Sequence, residues 1–247
     1  NPEVFSICPY QEEILEGMLG CDLIGFHVQN HCNNFLDTAN RLMESRVDTE
    51  KFSVVRSGRE TLIRAFPISV DGSVFGTPSE SVLNQKGMIR DELKLDGRIV
   101  AVSVERIDYT KGIPERLRAI DLFFEKYPAY KEKVVFFQLG QISRIHIPRY
   151  KELNDRIDAM VEEINWKHSQ GSWSPVIFTR VYMPYADILA LYRTADVCIV
   201  SALHDGMNLV AKEFVAARSD LRGVLVLSQF TGAARELTGA LIINPYD

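Results

Sequence analysis

The sequence predicts an α/β protein built on a doubly wound parallel sheet. Three observations carry that expectation. From residue 98 onward, continuous apolar runs alternate with amphipathic stretches, the pattern of strands covered on both faces by crossover helices. Each run ends in a polar turn, and helical spacing resumes directly after it. The chain is 46% hydrophobic and 25% charged over 247 residues, ordinary globular values that allow a sizeable core.

The elements follow in order. Residues 11–20 have helical spacing, with Ile14, Leu15, Met18 and Leu19 on one side. Residues 22–27 read as a short strand and 32–43 as a helix. Residues 51–56 and 60–67 read as strands joined by the hairpin chemistry of Ser57-Gly58-Arg59. Residues 73–79, containing Gly, Pro and Ser, read as a linker, and a boundary near Gly72 divides the chain into 1–72 and 73–247. A charged helix over 81–93 then leads into the regular part. Strands are predicted over 98–104, 133–139, 175–179, 197–201, 223–228 and 241–244. Helices are predicted over 113–126, 148–166, 185–194 and 209–217, with a final short helix before the last strand.

Charge and composition exclude several classes. A net charge of −5 with no long basic face argues against a nucleic-acid partner. No run of about 18 apolar residues occurs, so no membrane span is predicted. Cys8, Cys21, Cys32 and Cys198 form no CxxC pair, which suits a reduced, intracellular protein; Cys21 and Cys198 adjoin apolar runs and read as buried thiols. No GxSxG, HExxH, Walker or GxGxxG motif is present. His27 and His31 lack a third ligand at metal spacing. His146 and His168 read as exposed, and the Trp166–Trp173 region as a surface loop.

Two stretches concentrate chemistry. After the strand at 197–201 comes His204-Asp205-Gly206-Met207-Asn208, and a helix opens at Leu209. A helix start aims unpaired N–H groups and the positive dipole end at the turn, and Gly206 permits close approach. A phosphate or a sugar would suit the place, and an ordinary capped turn would use the same residues. After the strand at 98–104, Arg106 and Lys111 bring two cations to the same sheet edge. An arginine fork and a lysine point charge together suit a diphosphate. Against the dipole of the helix that follows, a purely structural role fits them less well. Arg144, after the next strand, suits a second phosphate or is simply a surface arginine. Glu213, roughly one and a half turns into its helix, suits ribose hydroxyls or a surface pairing with Lys212 or Arg218.

Taken together, the motifs resemble the trehalose-6-phosphate synthases, glycosyltransferase family 20. The resemblance rests on Glu105-Arg106-Ile107-Asp108-Tyr109-Thr110-Lys111-Gly112, on Asp205-Gly206-Met207-Asn208-Leu209-Val210-Ala211-Lys212-Glu213, and on Val224 through Leu237. Cys21-Asp22-Leu23-Ile24-Gly25-Phe26-His27 and Arg64-Ala65-Phe66-Pro67-Ile68 extend it through the first part. It implies a GT-B fold of Rossmann-like domains. Residues 1–72 would be the C-terminal part of the acceptor-side domain, and 73–247 the nucleotide-sugar domain. It implies a cytoplasmic, retaining glucosyltransferase that moves glucose from a nucleotide-glucose, commonly UDP-glucose, to glucose 6-phosphate. No cofactor and no metal ion are expected, and the leaving diphosphate itself takes the acceptor proton.

Carried over by motif, Arg106 and Lys111 hold the donor diphosphate. Asp205 and the backbone of Gly206, Met207 and Asn208 hold glucose hydroxyls. Leu209 and Val210 lie beside the phosphates, Glu213 binds the ribose and Met183 marks the stretch that reads the base. Arg144 matches an arginine that reaches the acceptor phosphate. Arg106, Lys111 and Asp205 are the expected catalytic residues. The chain departs from the family at His204, where many synthases have arginine, and at Gly140-Gln141-Ile142 before Arg144. These departures leave room for another acceptor, such as glycerol 3-phosphate; a non-catalytic nucleotide-sugar-binding homologue is the other alternative. Stretches expected before Asn1 and after Asp247 are not in the chain, which reads as a fragment inactive by itself. The sequence is compatible with a homo-oligomer.

Overall fold

The computed structural model describes residues 2–75, 95 and 97–247. The helix expected over 81–93 and part of the expected linker lie outside the described residues. The chain divides into two compact units, Asn1–Ile68 and Ser69–Asp247.

The first unit runs α1 (Pro2–Phe5), α2 (Gln11–Met18), β1 (Leu23–Phe26), α3 (Gln29–Leu42), β2 (Arg46–Asp48), β3 (Ser53–Arg56) and β4 (Arg59–Ala65). Its sheet has the order β1-β4-β3-β2, parallel at β1/β4 and antiparallel elsewhere. Ser57 and Gly58 both adopt positive φ (51° and 77°), the conformation a two-residue hairpin requires. Leu15, Cys32, Phe35, Leu36, Ala39, Val54 and Ile63 make the core. The strand Arg46–Asp48 was not expected, because one apolar residue in three carries no strand periodicity; pairing with β3 supplies it instead. Cys21 is exposed rather than buried, since it lies in the turn ahead of β1.

The second unit runs α4 (Gly72–Phe75), β5 (Ile99–Arg106), α5 (Ile113–Lys126), β6 (Val134–Gln141), α6 (Pro148–His168), β7 (Val176–Thr179), α7 (Tyr185–Thr194), β8 (Val197–Val200), α8 (Leu209–Ala217), β9 (Val224–Ser228) and β10 (Leu241–Ile243). All pairings in its six-stranded sheet are parallel, in the order β10-β9-β8-β5-β6-β7. From the far edge this reads third, second, first, fourth, fifth, sixth, the doubly wound order whose direction reverses between β5 and β8. Crossovers therefore leave that point in opposite directions, and the loops after β5 and β8 stand side by side. Val100, Val102, Val135, Phe137, Leu139, Cys198, Val200 and Leu227 bury the sheet. The final short helix is a 3-10 turn, Gly232–Arg235.

Two surface expectations are corrected. Trp173 is 2% exposed, its indole N–H donating to the Val134 carbonyl at 3.1 Å. His168 is 3% exposed, and its Nε2 lies 2.7 Å from Asp121 Oδ1. The polar residues around them hid a turn that folds back, through the Gln170–Trp173 bridge, onto the Phe124 ring. Among the described residues no helix is long and apolar enough to cross a membrane.

Candidate functional site

The two motif stretches meet where the strand order reverses. After β5 the chain makes a 3-10 turn, Tyr109–Lys111, capped by the Asp108 side chain. Thr110's carbonyl then accepts from the N–H groups of Leu203 and His204, at 2.8 and 3.2 Å, in the loop after β8. Gly112 ends the turn at φ 67°, and a Cβ there would lie 2.5 Å from the Ser201 carbonyl oxygen. That spacing admits only glycine without a backbone shift. The result is an ion pair, Lys111 Nζ to Asp205 Oδ2 at 2.6 Å, with side chains 16% and 15% exposed.

Asp205 is held from several directions. Asn208 Nδ2 donates to its Oδ2 at 3.0 Å, and its own N–H donates to the Phe230 carbonyl. Burial alone would raise its carboxyl, but the Lys111 hydrogen bond and charge, with Asn208 and the Met207 N–H, hold it below the ordinary value. A third loop, after β9, locks the turn: Gly232 N–H donates to the Asp205 carbonyl, and Ala233 N–H to the Met207 carbonyl. A Cβ on Gly232 would come within 2.2 Å of the Gly206 carbonyl oxygen. Asn208 adopts φ 75° and caps α8, its side chain accepting from Ala211 N–H at 2.9 Å. Leu209 and Val210 occupy the first turn, whose N–H groups find no partner within a helix.

Glu213, further along α8, is partly buried and does not pair with its neighbours. Lys212 binds both oxygens of Glu236 at 2.9 Å, and Arg218 binds Asp220. Glu213 instead accepts from the buried Tyr192 hydroxyl at 3.1 Å. Burial raises its carboxyl, and the Tyr192 hydrogen bond only partly opposes this. Tyr185 opens α7 two residues after Met183, and burial, then the Glu213 charge, push its phenol up.

Arg106 is exposed at the end of β5 and has no ion-pair partner among the described residues. Arg106 forms no bridge to the nearby Asp108, which binds Thr110 and Tyr150. Arg144 stands after β6 at φ 49°, its Nη1 donating to the Tyr150 hydroxyl at 3.2 Å. Beneath the loops, Arg116 of α5 pairs with Glu105, donates to Ser201 Oγ at 2.8 Å and to Gln138 Oε1, and so cross-links the ends of β5, β6 and β8. Sequence reasoning missed Arg116, Tyr150 and Tyr192, whose partners are distant in the chain or give no spacing signal. Among the described residues no group of three His, Cys, Asp or Glu side chains could hold a metal ion.

Such an edge offers cations and N–H donors beside hydroxyl-accepting carboxylates, a combination suited to a phosphorylated sugar. The profile of glycosyltransferase family 20 matches residues 1–247. Over 249 residues the chain is 36% identical to the 56 kDa subunit of the UDP-forming alpha,alpha-trehalose-phosphate synthase of Saccharomyces cerevisiae, covering 100% of this chain and 50% of that protein. An E. coli trehalose-6-phosphate structure bound with UDP-2-fluoro glucose matches with TM-score 0.91 at 36% identity, covering 100% of this chain and 55% of that one. The alpha,alpha-trehalose-phosphate synthase of Burkholderia xenovorans in complex with glucose-6-phosphate matches with TM-score 0.89 at 31% identity, with the same coverage. The fold class is thus α/β of GT-B type. The chain spans about half the length of the curated relatives it matches.

Proposed function

The chain belongs to glycosyltransferase family 20, and on that premise we propose that the whole protein is a cytoplasmic retaining glucosyltransferase. It moves glucose from UDP-glucose to glucose 6-phosphate and yields trehalose 6-phosphate. The observation that carries this reading is the Lys111–Asp205 pair at the reversal point of the sheet. It joins a diphosphate-type cation to a hydroxyl-type acceptor within one site.

In this reading Arg106 and Lys111 hold the donor diphosphate. Lys111 spends one of its three N–H donors on Asp205 and keeps two for phosphate oxygens. Asp205, fixed as a carboxylate, accepts from glucose hydroxyls beside the Gly206, Met207 and Asn208 backbone. The first turn of α8, at Leu209 and Val210, faces the phosphates with the positive dipole end. Glu213 takes the ribose, the Met183 stretch takes the base, and Arg144 takes the acceptor phosphate. Charge developing on the leaving diphosphate is what Arg106 and Lys111 stabilise most strongly, so their contribution falls on the transition state. The diphosphate oxygen accepts the acceptor's hydroxyl proton as the glycosyl bond breaks, and neither an enzyme nucleophile nor a metal ion enters the scheme.

The test is turnover of the full-length protein, with glucose 6-phosphate and glycerol 3-phosphate offered side by side. Preference for glucose 6-phosphate, lost in Arg144→Ala, supports the reading. Preference for glycerol 3-phosphate would move the acceptor assignment, and the exposed His204 beside Asp205 is then the first residue to exchange for arginine.

A further inference from the structure

We propose that Tyr150 is a positioning residue for the acceptor phosphate. Its hydroxyl holds Arg144 in place and ties that arginine to the donor loop through Asp108. This deepens the proposed function and rests on it, because it takes Arg144 as the arginine that meets the acceptor phosphate.

Arg144 is exposed in the loop after β6, on backbone in the left-handed region, and it forms no ion pair among the described residues. Among the described residues its polar side-chain contact is to Tyr150, whose ring also lies 5.8 Å from the guanidinium carbon. A long side chain without such a tether must be ordered at the moment of binding, which weakens binding. Tyr150 is a firm anchor for it. The residue is 4% exposed, sits in the first turn of α6, and packs edge-on against Tyr109 at 5.8 Å.

The hydroxyl has a single proton, and it donates that proton to Asp108 Oδ2 at 3.1 Å. Its lone pairs are thereby left to the Arg144 Nη1 donor. Asp108 is a well-held acceptor: its other oxygen takes the Thr110 N–H and hydroxyl, at 3.0 and 2.9 Å, and caps the turn that carries Lys111. One carboxylate thus organises both cation-bearing loops, one directly and one through the phenol. Only one of the five guanidinium N–H donors is used, so the rest can face a phosphate.

The experiment is steady-state kinetics of the full-length protein as wild type, Tyr150→Phe and Arg144→Ala, varying each substrate in turn and recording the thermal midpoint. Tyr150→Phe removes the hydroxyl and keeps the ring. The expected result is a KM for glucose 6-phosphate raised by about tenfold, the scale of a lost hydrogen bond to a charged group. The KM for UDP-glucose stays within about twofold at an unchanged midpoint. If Arg144→Ala raises the acceptor KM while Tyr150→Phe leaves it alone, the inference is overturned and the proposed function stands. If neither variant moves the acceptor KM, the reading of Arg144 fails and the inference goes with it. Equal changes in both KM values with a lowered midpoint would show a merely structural tyrosine, and would also overturn it.

Discussion

The loops after β5 and β8 leave the same sheet edge as the loop after β6, yet they are held in different ways. The first two are fastened backbone to backbone, through Thr110 to Leu203 and His204, and through Gly232 and Ala233 to the Asp205 turn. Glycines at 112 and 232 allow approaches that no side chain permits. The Arg144 side chain is fastened through one phenol. The Lys111–Asp205 geometry is therefore a property of the fold, while Arg144 depends on a side-chain tether. On the proposed function, the donor site is preorganised and the acceptor arginine is adjustable.

The largest effect that sharpens the contrast lies in the fastened pair. Lys111→Ala or Arg106→Ala in the full-length protein should lower turnover by about two orders of magnitude, the scale of losing one preorganised charge contact. Near-normal kcat in both would break the assignment. Gly112→Ala comes next. Its Cβ would press on the Ser201 carbonyl and its φ of 67° is unfavourable for alanine, so about 1–3 kcal/mol of stability should be lost. Chemical denaturation reads this directly, and an unchanged midpoint would show that the two loops are not locked as described. Asn208→Ala is smaller, about 1 kcal/mol for the lost cap, measured in the same way.

The smallest effect is in pH, where two carboxylates of one site part company. Asp205 has a lowered pKa, so its stabilising contribution is complete above the ordinary carboxylate value and fades only as pH falls through the still lower folded value. Glu213 has a raised pKa, so its ionised form opposes folding and protonation relieves this as pH falls through the raised value. Mild acidification therefore takes the charge from Glu213 before Asp205. Affinity for uridine, which has no phosphate to titrate, should fall as pH drops from neutral toward the ordinary carboxylate range. Glu213→Gln should flatten that profile, and an equally sloping profile in the variant would remove Glu213 from the ribose.

Much of this was legible in the sequence, for particular reasons. β5, β6, β8 and β9 are continuous apolar runs because helices cover both faces, and Asp205-Gly206-Met207-Asn208 reads as a strand-to-helix turn on local chemistry alone. The short strand Arg46–Asp48 was hidden because its pairing, not its residues, makes it a strand. Tyr192, Arg116 and Tyr150 were hidden because each acts through partners that lie elsewhere in the chain. Tyr192 reaches Glu213 from the preceding helix, Arg116 reaches Ser201 across five intervening helices and strands, and Tyr150 reaches back to Asp108. His168 and Trp173 misled for the opposite reason: polar neighbours in sequence surround a buried turn in space.

The most direct test of a site built where the strand order reverses is calorimetry of this 247-residue chain with UDP in the presence of a chelator. The expected result is binding that needs no metal, falls at least about tenfold in Lys111→Ala as a charge-assisted contact is lost, and weakens likewise in Arg106→Ala. A folded chain that binds no UDP, or that binds it equally well in both variants, would overturn the donor site proposed at this sheet edge.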